Sequence, residues 1–349
     1  MLPAVKKKQW MRLASVLLIW LVFTVGFILL PEAEAYAAGH GITISGSGLN
    51  VTEPVNITQE QLCGQEPLPI ELQNIYGQEY LEQHDEWYST INTWPTKNWY
   101  RGKGVRLSEL LKTAGGLNDQ ARHIRFTSTD GFTTAYSIHT ILEAPRYRFP
   151  NFMDTGPYGH LIGDASDPAP VETIIAYSII YSDVLDEIWN DSWMSGNTAN
   201  LLMFGQQAVT QQTNAQFAQY LKKIEVFTEP LTQWQEPTTS VTPGKVPAGT
   251  RVELKSQYND EDKVHYTLDG SNPTVESPMY NWIASRWWSS RLEELDEINR
   301  PIEITSNTII KAFVTGPGRE NSDIATFEYT VSTSSTPFSI DENNPDDAF

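Results

Sequence analysis

Cysteine is nearly missing from this chain: Cys63 stands alone among 349 residues. One thiol excludes an intrachain disulfide and any cysteine-cluster zinc or iron–sulfur site. Basic residues are scarce too, 24 Lys and Arg against 43 Asp and Glu, for a formal charge of −19. A general nucleic-acid binder neutralises phosphates with Lys and Arg, so this balance argues against that class of partner. The six histidines, His40, His84, His123, His139, His160 and His265, never fall at H-x-x-x-H or H-E-x-x-H spacing, so no metal site is expected from them. The chain lacks a G-x-S-x-G elbow and a P-loop. The acidic run Asp183, Asp186, Glu187 and Asp191 lacks the EF-hand pattern and reads as a solvated helix face.

What is present is a real core-forming composition, 40% hydrophobic, with 22 Gly and 21 Pro. The length suits two domains. The N-terminus carries Lys6, Lys7, Lys8 and Arg12, then an apolar run over 13–30, then small-x-small sites at Ala33-Glu34-Ala35 and Ala35-Tyr36-Ala37. A basic start, an apolar middle and an A-x-A site read as a secretory signal over 1–37. Retained, the same run is close to the minimum for a membrane anchor, the one membrane contact expected. Either way, the expected location is outside the cell or on its surface. Cleavage after Ala37 would remove four basic and two acidic residues, taking the charge from −19 to −21. Cys63 follows no lipobox-like run and is expected as an inert, buried thiol.

Beyond the leader, 41–51 alternates apolar and polar residues as a strand does. Thr58 is placed to cap a short helix from Gln59, and Ser108 to cap one that Gly115-Gly116 ends. Residues 124–128 and 132–138, joined by Thr129-Asp130-Gly131, predict a hairpin. Residues 200–206 and 224–228 predict later strands. Residues 229–249, with Pro230, Pro237, Pro243 and Pro247 among Thr and Ser, read as a linker between a domain over 38–228 and one over 250–331. The second domain predicts as a small β-sandwich of strands near 251–254, 263–268, 308–314 and 325–331. A Trp-rich insert at 279–301 interrupts it, and an acidic tail at 332–349 is expected to be disordered.

Two resemblances follow. The string Tyr266-Thr267-Leu268-Asp269-Gly270-Ser271-Asn272-Pro273-Thr274, with Ser277-Pro278-Met279-Tyr280 and Thr308-Ile309-Ile310-Lys311-Ala312, resembles the chitobiase/β-hexosaminidase C-terminal module over about 246–331. That resemblance implies an immunoglobulin-like sandwich without catalytic residues. The order Trp99, Gly104-Val105-Arg106-Leu107-Ser108-Glu109-Leu110-Leu111, Gly115-Gly116 and Phe126-Thr127-Ser128-Thr129-Asp130-Gly131-Phe132 resembles the molybdopterin-binding domain of the sulfite oxidase family over 41–228. It implies an α+β fold and a molybdenum-ligating cysteine near 89–92. The residues there are Ser89, Thr90, Ile91 and Asn92, and molybdenum in that family needs a thiolate. No cofactor is therefore expected, and a molybdopterin-dependent oxidoreductase with an atypical site is the alternative.

The segment around that position holds the candidate ligand-binding residues Asn92, Trp94, Lys97, Trp99 and Arg101. Aromatic rings, an amide and two cations suit a small anionic or sugar-like ligand. Packed loop aromatics would give the same composition. Trp282, Trp287 and Trp288 are candidates for stacking on cell-wall or extracellular polysaccharide, or for packing the insert against the first domain. The overall expectation is an exported, non-catalytic binding or cell-surface protein.

Overall fold

The computed structural model describes residues 40–94, 96–153, 162–196, 200–284 and 298–332. The expected signal, the acidic tail and the candidates Trp287 and Trp288 lie outside these residues. The N-terminal half builds two sheets. A five-stranded sheet runs in the order Val55–Ile57, Ile42–Ser45, Leu221–Phe227, His123–Ser128, Thr133–Ser137. Its parallel pair sets Ile44 beside Ile224, joining the two ends of this half. A four-stranded antiparallel sheet runs Leu201–Met203, Ile174–Ser182, Lys97–Arg106, His84–Ile91. Both sheets turn apolar faces into one core, with Ile44, Phe126 and Ile224 from the first and Tyr88, Val105 and Ile175 from the second. β-branched and aromatic residues favour strands, and 174–182 reads Ile-Ile-Ala-Tyr-Ser-Ile-Ile-Tyr-Ser.

The α+β fold of the sulfite oxidase type does not form. The structure is mostly β, 38% strand and 13% helix. The α-helices described are short: Gln59–Leu62, Ile70–Tyr76 and Leu107–Thr113. Residues 97–106 run as one long strand, and the helix follows directly from Leu107, with Arg106 rather than Ser108 at the N-cap. Gly115 and Gly116, both at positive φ, then end it after two turns. Thr58 does cap the first helix, in a reciprocal box with Gln61.

In the C-terminal half a four-stranded sheet runs Gly244–Pro247, Ala325–Ser332, Thr308–Thr315, Lys263–Thr267. Thr238–Thr239 pairs with Leu254–Lys255, and Thr250–Val252 with Ile302–Ile304. The stretch 229–249, expected as a linker, supplies two of these strands and buries Trp234 and Val246 in the core with Val264, Ile310 and Tyr329.

The halves are fused. A third core joins Ile91, Trp94, Trp99, Phe152 and Ile180 of the first half to Trp282 and Ile283 of the second. Backbone bonds cross the seam: Ala284 N–H donates to Thr93 O at 3.2 Å and Gly318 N–H to Ala135 O at 2.9 Å. Among the described residues, no helix is long and apolar enough to cross a membrane.

Candidate functional site between the two halves

The residues singled out from sequence sit on the hairpin of His84–Ile91 and Lys97–Arg106, where Tyr88 faces Tyr100. Asn92 closes the turn: its N–H donates to Thr96 O, and its Oδ1 accepts from Thr93 N–H at 2.7 Å. Trp94 and Trp99 are buried in the third core, Trp99 edge-on to Phe152 at 5.4 Å. Trp282 lies in that same core, so packing unites it with Trp94 and Trp99. Lys97 is 3% exposed.

Arg101 is fixed by its neighbours. Nε and Nη2 donate to the two Asp85 carboxylate oxygens at 2.7 and 2.6 Å, and Nη1 to Asp191 Oδ1 at 2.7 Å and Ile188 O at 3.2 Å. The guanidinium also lies 4.7 Å over Trp189. The Asp85 hydrogen bond raises the Arg101 pKa, and the Arg101 bond lowers that of Asp191. Asp191, taken from sequence as part of a solvated face, is half of this ion pair.

The position where the sulfite oxidase resemblance places a cysteine does not fit a molybdenum ligand. Ser89 Oγ donates to Gln206 and accepts from Phe149 N–H, and Thr90 Oγ1 donates to Asn98 O. These are hard oxygen donors, already engaged. Cys63 stands elsewhere, half-buried at the end of Gln59–Leu62, its thiol pKa pushed up by desolvation. Among the described residues, no group of three or more His, Cys, Asp or Glu side chains could hold a metal.

A cavity of about 730 Å³ opens instead at the seam of the halves. Its N-terminal wall holds Tyr136 at the end of its strand, Arg146, and the amides Gln207, Gln211, Gln212 and Gln216. Its C-terminal wall holds Glu261, Lys263 and His265, with Arg319 nearby. Side chains alternate faces along the strand Lys263–Thr267, so 263 and 265 point the same way, and Glu261 joins them on the wall from the bend before the strand. That period-2 run of titratable groups, leading into the Tyr266-Thr267-Leu268-Asp269-Gly270 string, is the signal that sequence reading passed over.

The wall groups are anchored by main-chain carbonyls. Lys263 Nζ donates to Asn281 O at 3.1 Å, and His265 Nδ1 bonds Ser277 O at 2.9 Å while its ring stacks on Phe313. Arg146 Nε and Nη2 donate to Thr140 O at 2.9 and 2.8 Å, and Nη1 to Gly205 O at 2.7 Å. Tyr136 O–H donates to Gln216 Oε1 at 3.2 Å. Burial drives the charges: it lowers Lys263 to about 8 and Arg146 to about 10. Burial, then Asp260, pushes Glu261 up to about 7.

Residues 252–329 match the family described as Fn3 associated. This Fn3-associated stretch lies inside the region whose residues resemble the chitobiase module, and it carries Glu261, Lys263 and His265 of the cavity wall. No curated protein matches the chain. Among solved structures, the sulfane dehydrogenase SoxCD from Paracoccus pantotrophus is 9% identical, with 81% of this chain and 68% of that chain covered and a TM-score of 0.29. The BSP domain of a biofilm-associated protein is 10% identical, with 72% and 30% covered and a TM-score of 0.16.

Proposed function

We propose that the chain is an exported, surface-associated, non-catalytic binding protein whose ligand site is the cavity between its halves. One observation carries this reading: polar and charged side chains from both halves converge on one cavity of about 730 Å³. Concave sites with a few convergent polar groups are where small molecules bind. Arg146, Lys263 and His265 are held at fixed positions by main-chain oxygens, which preorganises the cavity wall for a ligand. The N-terminal signal-like sequence supports the location.

The test is native mass spectrometry of the chain recovered from its own host, with cell fractionation alongside. The reading predicts protein in the wall or medium fraction carrying a small molecule that denaturation releases unchanged. Protein confined to the cytoplasm, or a bound compound that turns over, contradicts it.

A second surface supports association with polysaccharide. Tyr181 and Trp193 are 60% and 57% exposed and line an outward hollow of about 400 Å³ beside the strand Ile174–Ser182. Tyr181 is backed by Tyr100, stacked at 5.1 Å. Flat exposed rings suit sugar faces, whereas the buried Trp282 is taken up by packing.

A further inference from the structure

Resting on the reading of the cavity as a ligand site, the side chains on its walls define what that ligand must carry. Arg146 is 4% exposed, and its bonds go to two carbonyls, Thr140 and Gly205. Three of its five N–H donors are thereby used, and among the described residues no carboxylate forms an ion pair with it. A buried guanidinium stacked only on Phe204, at 4.8 Å, is a cation without an anion. Burying a charge is costly unless it is paired. The carboxylate across the cavity, Glu261, has Asp260, Lys263 and Asp262 as its charged neighbours and forms no ion pair with Arg146 among the described residues.

A second group makes a different demand. Gln212 is 4% exposed; its Nε2 donates to Trp282 O at 2.5 Å, but its Oε1 is buried without a donor among the described residues. An amide oxygen in that position calls for an O–H or N–H. Gln207 and Gln211 line the same wall, and side-chain amides match the donor–acceptor pattern of hydroxyl groups, while the Gln216 amide is engaged by Tyr136 and Gln212 O.

We propose that the cavity binds a small polyhydroxylated carboxylate, a sugar acid, with its carboxylate on the Arg146 guanidinium and a hydroxyl donating to Gln212 Oε1. Arg146 and the Gln-rich wall supply the anion and hydroxyl contacts from the N-terminal half, and Lys263 adds a second cation from the other. A bidentate arginine–carboxylate contact in a desolvated pocket gives both affinity and orientation.

The experiment is calorimetric titration of the full chain with galacturonate, galactose, acetate and inorganic phosphate. Galacturonate is expected to bind, acetate at least tenfold more weakly for want of hydroxyls, and galactose not measurably. Arg146→Lys keeps the charge but loses the planar fork and is expected to weaken galacturonate about tenfold or more, with melting curves showing that the variant is folded. The wild-type ligand series decides the matter without any variant. Galactose binding as tightly as galacturonate, phosphate binding where galacturonate does not, or unchanged affinity in folded Arg146→Lys each overturns the proposal. The first of these leaves the cavity a ligand site, so the two readings fail separately.

Discussion

Two arginines, Arg101 and Arg146, are about equally buried and stand in opposite circumstances. Arg101 sits between Asp85 and Asp191; Arg146 meets only carbonyls. Sequence reading selected Arg101 because aromatics and cations clustered beside it. A cation's partners depend on residues 16 and 90 positions away, which spacing does not reveal. The structural role predicts that Arg101→Ala lowers stability by about 1–2 kcal/mol in urea denaturation, through lost hydrogen bonds and packing. Ligand affinity in the folded fraction should not change. Glu261 gives a pH signature. The folded state holds its proton up to about 7, and the unfolded chain releases it near the ordinary 4.5. Between those values the folded state binds more protons, so stability falls as pH rises and the loss is complete above about 7. Melting temperature measured from pH 4.5 to 7 should fall in the wild type, and more shallowly in Glu261→Gln.

At the scale of elements, local pairings were legible and distant ones were not. The hairpin of His123–Ser128 with Thr133–Ser137 follows from an Asp-Gly turn between alternating runs. The strands Lys263–Thr267, Thr308–Thr315 and Ala325–Ser332 also match their expected places closely. The parallel pairing of Ile42–Ser45 with Leu221–Phe227 brings together residues nearly the whole half apart, and no local pattern encodes it. The helix expected from Ser108 forms over Leu107–Thr113, its start moved to the end of 97–106, which pairs on both sides with His84–Ile91 and Ile174–Ser182. Gly104 marks that central strand. It sits at a register shift, and a Cβ there would lie 2.1 Å from Ile175 O. Gly104→Ala must separate the strands and should cost about 3 kcal/mol, read as a lower urea midpoint.

For the whole molecule, a shared core packs the two halves against each other. The Pro-rich composition of 229–249 suggested a boundary, yet Trp234 and Val246 are buried and Trp282 packs with Trp94 and Trp99 across the seam. Calorimetry should show one transition, with calorimetric and van't Hoff enthalpies equal. Trp282→Ala, removing a buried aromatic at the seam, should cost about 3–5 kcal/mol and separate the melting of the halves. Such fusion also explains why the cavity, lined by side chains of both halves, is invisible to a domain-by-domain reading. Val275 is partly exposed on its wall, so a larger side chain there fills the cavity without disturbing either core. A thermal-shift screen of small molecules, run in parallel on the wild type and Val275→Trp, tests whether the cavity is a ligand site. Ligands of the cavity should raise the wild-type melting temperature by several degrees and leave Val275→Trp unmoved. Stabilisers that act equally on both proteins would contradict that reading.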